Sequence, residues 1–401
     1  MQDSKRHAFR LIILFGIISL LGDMIYEGAR SVNGPYLKAL GAGAAVVGLV
    51  AGIGEFLGYA ARLLSGFLTD KTKAYWLITI IGYAFLLSVP MLGIAEGWEA
   101  AALFLLMERF GKAIRSPSKQ TILSQAAKQV GTGYGFALHE AMDQLGAMLG
   151  PLVYSAVFFA AATAGAAIAD YQKGYLFSII PYILLLATLF YSYYKFRNSW
   201  AFGDKAQSGQ QDKLGKTFWL YNIFTFLSTF GFVNFLLIGY HIKAAGLAGD
   251  AWIPLAYTLA MGVDAVAALI IGKAYDRLKS KSGNEKSGLK ILIAIPLFTV
   301  FIPALVFSPT LGLIIAGIVL WGIVMGTHET IMKASIADIT SLSKRGTGYG
   351  IFNTSYGLAV MFGSAAAGFL YDTSITLLVA IMSAVQVLAV VSYYYLRKSV
   401  V

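Results

Sequence analysis

The chain has 401 residues, of which 58% are apolar and 13% charged, with a net charge of +11 and no cysteine. Soluble globular proteins carry about 25% charged residues, so the composition excludes a soluble domain of any useful length. Lack of cysteine excludes disulfides and thiolate metal sites. In a chain this apolar, the positive charge concerns membrane topology before it concerns nucleic acid.

Apolar runs recur from one end to the other, beginning with LIILFGIISLLG and ending with LLVAIMSAVQVLAVVSYYYL. About 20 such residues in a helix cross roughly 30 Å of hydrocarbon. Without water, backbone groups must bond within the segment or around a closed barrel. The runs are continuous, not alternating, so helices are predicted: an all-α membrane protein of twelve transmembrane helices. The spans fall near 9–33, 43–67, 75–95, 98–123, 132–158, 173–194, 217–240, 251–272, 289–307, 311–336, 346–370 and 374–395. Residues 195–216, KFRNSWAFGDKAQSGQQDKLGK, form the one long polar connection between spans. The expected organisation is a six-helix bundle over 1–194, a cytoplasmic linker over 195–216 and a second six-helix bundle over 217–401. With both termini in the cytoplasm, Lys and Arg gather on that side. The loops on the other side then hold only Lys38, Lys173 and Lys243, as the positive-inside rule requires. Arg10 leads directly into the first span without a small-residue cleavage site, so that span is expected to stay. The expected location is the cytoplasmic (inner) membrane, as a monomer.

The pentapeptide GTGYG occurs twice, at 131–135 and 346–350. It gives G-x-G-x-G, and no Gly-Lys-Ser/Thr follows, so it is not a nucleotide loop. Each copy opens a span, the fifth and the eleventh. Gly111 to Gly131 and Gly326 to Gly346 are spaced alike. A second pair lies at Gly66-x-x-x-Asp70-Lys71 and Gly272-x-x-x-Asp276-Arg277, each after the second helix of its half. The chain therefore reads as two six-helix repeats in parallel orientation, an arrangement that places a transport site between the halves.

Twelve helices, the repeat and two copies of G-x-x-x-D-[K/R] resemble the major facilitator superfamily over essentially the whole chain. The resemblance implies its fold and a secondary transporter. One departure stands out: the family's longer loop motif continues with a second glycine, whereas Thr72-Lys73-Ala74 follows here. The resemblance also implies that the motif carboxylate meets the start of a helix in the opposite half. A helix start exposes unpaired N–H groups and partial positive charge. Asp70 is thus expected at Gly346 and Thr347, and Asp276 at Gly131 and Thr132, as a symmetric gate. The alternative is that GTGYG only punctuates two loops.

A charge at bilayer depth costs about 2.5–3.5 kcal/mol even on the lenient scale, yet this chain places many there. Asp23, Glu27 and Arg30 share one face of span 1. Glu108, Arg109, Lys112 and Arg115 follow in span 4, His139, Glu140 and Asp143 in span 5, Asp264 in span 8, and His328, Glu329 and Lys333 in span 10. Glu329 and Lys333 stand in the favourable i, i+4 order. Within the spans carboxylates outnumber Lys and Arg, and one without a cation favours its protonated form in low dielectric. Asp23, Glu27, Glu140, Asp143, His139 and Arg109 are the candidate proton-coupling residues. Arg109 resembles the superfamily's buried span 4 arginine. Tyr26, Arg30, Glu108, Lys112, Asn222, Asn234, Asp264, Trp321, His328, Glu329 and Lys333 are the candidate substrate contacts.

Gly146-x-x-x-Gly150-Pro151 permits close helix approach. It resembles in part the span 5 signature of the superfamily's drug:proton antiporters; Ala137 and Leu152-Val153-Tyr154 stand where that signature has glycines. His139-Glu140-x-x-Asp143 lacks the second histidine of a zinc-protease helix, so no enzyme, resident metal or cofactor is expected. The expected function is proton-coupled export of a small amphipathic organic solute. Three alternatives stand: import of an anionic solute, export of a transition metal held by His139, Asp143, His328 and Glu329, and an uncoupled facilitator or sensor.

Overall fold

A computed structural model describes residues 2–130, 132–161, 167–198, 214–283, 285–340 and 345–399. Among them the only regular structure is helical. Nine helical segments are long and apolar enough to cross a membrane: α1 (Gln2–Ala39), α2 (Ala44–Thr72), α3 (Tyr75–Ile94), α6 (Ile168–Phe196), α7 (Lys216–Ala244), α8 (Trp252–Ser282), α9 (Lys286–Val306), α10 (Leu311–Ile336) and α12 (Ile375–Lys398). Three more, α4 (Trp98–Val130), α5 (Thr132–Ala160) and α11 (Arg345–Thr373), are as long.

Several predicted spans are not single helices. The seventh is broken after Phe230 and restarts at Phe235. Gly231 there packs on Met382 and Gln386 of α12, which leaves no room for a Cβ. Asn234 caps the restart, accepting from the Leu236 N–H at 3.0 Å. The tenth contains a π turn, His328–Met332. It changes the register at which Glu329 and Lys333 follow one another, and both are exposed. The turn between α2 and α3, where the second motif glycine is missing, is made by Lys73 in a left-handed conformation (φ 56°).

By packing, the chain forms two compact units: Met1–Ala42, Leu57–Lys205 and Gly249–Thr258 in the first, and Gly43–Phe56, Ala206–Ala248 and Leu259–Val401 in the second. Each takes in the start of one helix whose remainder belongs to the other. In the first unit, Ser155 donates to the Ala251 carbonyl at 2.9 Å. The Tyr171 hydroxyl donates to the Asp250 carboxylate, and Phe159 meets Trp252 edge-on. In the second, the Asp372 carboxylate at the end of α11 accepts from the N–H groups of Ala44 (3.2 Å) and Ala45 (2.9 Å) at the start of α2. Gly48 and Gly52 of α2 face the α11 backbone at Ser364, Gly368 and Met361. A carboxylate on an exposed helix start is the interaction the sequence led one to expect elsewhere.

The core of the first unit is a tyrosine cluster. Tyr36 packs on Tyr171 and Tyr175, and Tyr154 packs on Tyr175 and Phe158. The hydroxyls are mostly used: Tyr36 donates to the Leu92 carbonyl at 2.8 Å and Tyr175 to Asn33 at 2.8 Å. In the second unit Gln386 of α12 donates to the Ser228 carbonyl of α7 at 2.9 Å.

The contact of α1 with α5 runs over glycines. A Cβ on Gly150 would meet the Gly28 backbone nitrogen at 2.8 Å, and one on Gly146 would meet the Asp23 Cβ at 2.9 Å. Gly150→Ala is expected to lower stability by about 1–3 kcal/mol through overpacking. Gly58→Ala, where no atom lies within 4 Å, should be neutral or slightly stabilising. Thermal unfolding of both purified variants checks this. Asp372→Ala removes the helix-start acceptor and should cost about 1 kcal/mol, read in the same assay.

Candidate functional site

In the first unit, α1, α4 and α5 bring chemistry-bearing side chains together in two groups. The first group is a chain of polar contacts, two of them hydrogen bonds. Lys119 of α4 donates from Nζ to Ser19 Oγ of α1 at 2.7 Å. Ser19 Oγ lies 2.9 Å from His139 Nε2 of α5. His139 Nδ1 lies 3.4 Å from Asp143 Oδ2, one turn on. An ammonium only donates. Ser19 therefore accepts from Lys119, and in the tautomer with the ring hydrogen on Nδ1 its own hydroxyl hydrogen goes to Nε2. The other oxygen, Asp143 Oδ1, is buried without a hydrogen-bond partner. Asp23 adjoins this chain: it is 9% exposed and interacts electrostatically with Asp143, Lys112 and Lys119.

The second group centres on Glu27, which is 7% exposed. Arg30 NH1 approaches it at 3.3 Å and Lys112 Nζ at 3.8 Å, and the Tyr257 hydroxyl of α8 donates to it at 2.5 Å. Lys112 Nζ also sits 3.7 Å from the centre of the Tyr26 ring, a cation–π contact. Arg115 is buried over Tyr83 and donates to the Gly82 carbonyl. Glu108 meets Arg109 at 3.3 Å, while its Oε1 is buried without a partner. Glu140, on the same helix as His139, is exposed.

The second unit places its candidates differently. Trp321 is buried, stacked on Phe232, and spends its indole N–H on the Val233 carbonyl at 2.8 Å. Asn222 is buried and bonds its own helix at the Phe218 carbonyl, with Oδ1 unpartnered. Asp264 is buried against Gly326 of α10. His328 is buried beside Phe232 and Tyr356, with Nδ1 3.1 Å from the Tyr356 hydroxyl. Among the described residues no three His, Asp or Glu side chains come together as a metal site.

Of the candidate gate, Gly66 faces Pro117 of α4, and Lys71, Asp276, Arg277 and Thr347 are exposed. Gly272 has open space around its Cα. Gly131 and the side chains of Asp70, Thr132 and Gly346 lie outside the described residues. Beside Asp276, the structure reveals Asp338 bound by Lys279 Nζ at 2.8 Å and the Tyr275 hydroxyl at 2.6 Å.

Sequence reading missed Ser19, Lys119 and Tyr257. The first two had a signal: Ser19 is one turn before Asp23, and Lys119 one turn after Arg115, on the charged face. Tyr257 had none, because its partner lies 230 residues away.

Residues 12–285 and 284–400 each match the sequence profile of the Major Facilitator Superfamily. The chain belongs to the Major Facilitator Superfamily. An uncharacterized protein of Mycobacterium tuberculosis is 36% identical over 397 residues, covering 97% of this chain and 93% of that protein. An uncharacterized MFS-type transporter of Methanocaldococcus jannaschii is 25% identical over 386 residues, covering 93% and 91%. Among solved structures, the nucleoside transporter NupG superposes with a TM-score of 0.77 at 14% identity, covering 96% of this chain and 99% of that one. A bacterial homolog of the human lysosomal transporter Spinster gives 0.73 at 13% identity, covering 97% and 96%. At these identities the two structures establish the shared fold. As a superfamily member the chain is a multi-pass membrane transporter for a small molecule.

The Glu27 group makes a double-mutant test. Glu27→Gln leaves Arg30 and Lys112 without their carboxylate and should cost about 3–5 kcal/mol, more than Tyr257→Phe. Glu27→Gln with Lys112→Met should recover part of the loss. Chemical or thermal unfolding of the four proteins checks the order.

Proposed function

We propose that the protein is a proton-coupled exporter of a small amphipathic organic solute, working by alternating access between two six-helix halves in the inner membrane. The observation that carries the reading is the chain from Lys119 through Ser19 and His139 to Asp143. Such a chain can pass a proton stepwise. Asp143 takes the Nδ1 hydrogen, Nε2 takes the hydroxyl hydrogen of Ser19, and Ser19 takes one from Lys119. Lys119 is then reprotonated from water. Asp143 thus gains a proton with no group left short. An unpartnered carboxylate oxygen next to Asp23 gives the proton a destination. The rings of Tyr26 and Tyr257 beside the charges of Lys112 and Glu27 suit an amphipathic cargo. Import of an anionic solute is the second reading, favoured by Arg30 and Lys112 around the Glu27 carboxylate. Asp70 and Asp276 act in this proposal as gate carboxylates at the starts of spans 11 and 5, with both termini in the cytoplasm and one chain sufficing for transport.

The test uses proteoliposomes loaded with ethidium or other amphipathic organic cations and an imposed pH gradient. Asp143→Asn should abolish gradient-driven uphill transport while exchange of labelled for unlabelled cargo persists. Ser19→Ala should slow the coupled step about 10²-fold or more, the scale of a lost acid–base contribution. Uphill transport at the wild-type rate in Asp143→Asn would overturn the assignment.

A further inference from the structure

We propose that Lys112 occupies a binding site for an organic ammonium, and that a cationic cargo enters by displacing it. The inference deepens the reading of an amphipathic organic cargo and rests on it. The site consists of the face of the Tyr26 ring and the Glu27 carboxylate. Lys112 Nζ lies against both, 3.7 Å from the ring centre and 3.8 Å from Glu27 Oε1. An aromatic face attracts an ammonium through its quadrupole, and the carboxylate adds the opposite charge.

Lys112 is held loosely. At 3.8 Å its ion pair is too long for a hydrogen bond, and among the described residues its ammonium donates none. Its side chain is 28% exposed, against 14% for that of Arg30, so Lys112 is the cation of this group more open to water. Its flexible four-carbon stem lets it swing away and uncover the ring face it now covers.

The site stays formed without it. Arg30 NH1 donates to both oxygens of Glu27, at 3.3 and 3.5 Å, and the Tyr257 hydroxyl donates to Oε2. The Tyr26 hydroxyl is fixed on the Asp23 carboxylate. None of these bonds involves Lys112. The charge balance holds as well. Lys112 interacts electrostatically with Glu27, Asp23, Arg30 and Arg109. A monovalent cation in its place meets the same four groups, so the exchange adds no net charge at bilayer depth, where an extra one is expensive.

The same geometry names the ligand. The donors of Lys112 are unused, so a nitrogen without hydrogens loses nothing here. A methylated or quaternary ammonium fits, because its attraction to a ring face needs no hydrogen bond. An anion would meet the negative face of the Tyr26 ring and the Glu27 carboxylate.

The test titrates the purified full-length protein, in neutral detergent, with benzyltrimethylammonium, benzyl alcohol or phenylacetate, and follows binding by calorimetry. The three probes share a ring and differ in charge. Lys112→Ala should bind the cation about tenfold more tightly than wild type, as expected when an occupant of roughly nine sites in ten is removed. Lys112→Arg keeps the competitor and should bind as wild type does. In the Lys112→Ala protein, adding Tyr26→Leu should weaken cation binding about tenfold, whereas adding Tyr26→Phe, which keeps the ring, should not. If Lys112→Ala binds the cation no more tightly than wild type, or binds benzyl alcohol equally well, there is no such site. If phenylacetate binds instead and Lys112→Ala loses it, Lys112 holds an anionic cargo and the ammonium assignment fails. No pH gradient is imposed and Asp143 is unaltered, so failure here is distinguishable from failure of proton coupling.

Discussion

Everything in the first unit depends on how closely α1 and α5 approach. Gly28, Gly146 and Gly150 remove the side-chain layer between them, and the backbones come within van der Waals contact. In a membrane this close packing replaces the hydrophobic drive that water would supply. It also has a chemical result. Ser19 and Asp23 of α1 are pressed against His139 and Asp143 of α5 where little water can solvate them. Polar groups so placed must satisfy one another, and the chain from Lys119 to Asp143 is how these do it.

The carboxylates of the site are not equivalent. Glu27 is held by two cations and a phenol, a fixed charge that organises Arg30 and Lys112. Asp143 has one oxygen on an imidazole and the other on nothing. One helix pair therefore carries two carboxylates in different settings.

The fold was largely legible in the sequence, because lipid leaves a chain so few options. Run length, loop charge and the repeated GTGYG and G-x-x-x-D-[K/R] all pointed to the same architecture, and their agreement counted for more than any one of them. The site was legible by residue type but not by pairing. Asp23, His139 and Asp143 stand out as charges at depth, whereas Ser19 is an ordinary hydroxyl and Tyr257 an ordinary aromatic until the packing gives each a partner. Trp321 and Asn234 attract notice as polar groups in apolar runs, yet the structure uses both to close the break in α7. Breaks and π turns themselves were not readable: GFVN and HETIM differ little from their helical neighbours, and it is the packing of Gly231 on α12 that makes the first of them necessary.

The exchange of helix starts between the units bears on how the chain is made. The first unit includes Gly249–Thr258, a segment translated only after the linker and all of α7. Until then Glu27 lacks its phenol, Tyr171 lacks its carboxylate and Ser155 lacks its acceptor. A ribosome that has released the first 205 residues has therefore not released a finished bundle. The nascent unit lacks three of its hydrogen bonds until then, so its maturation is tied to the synthesis of the other.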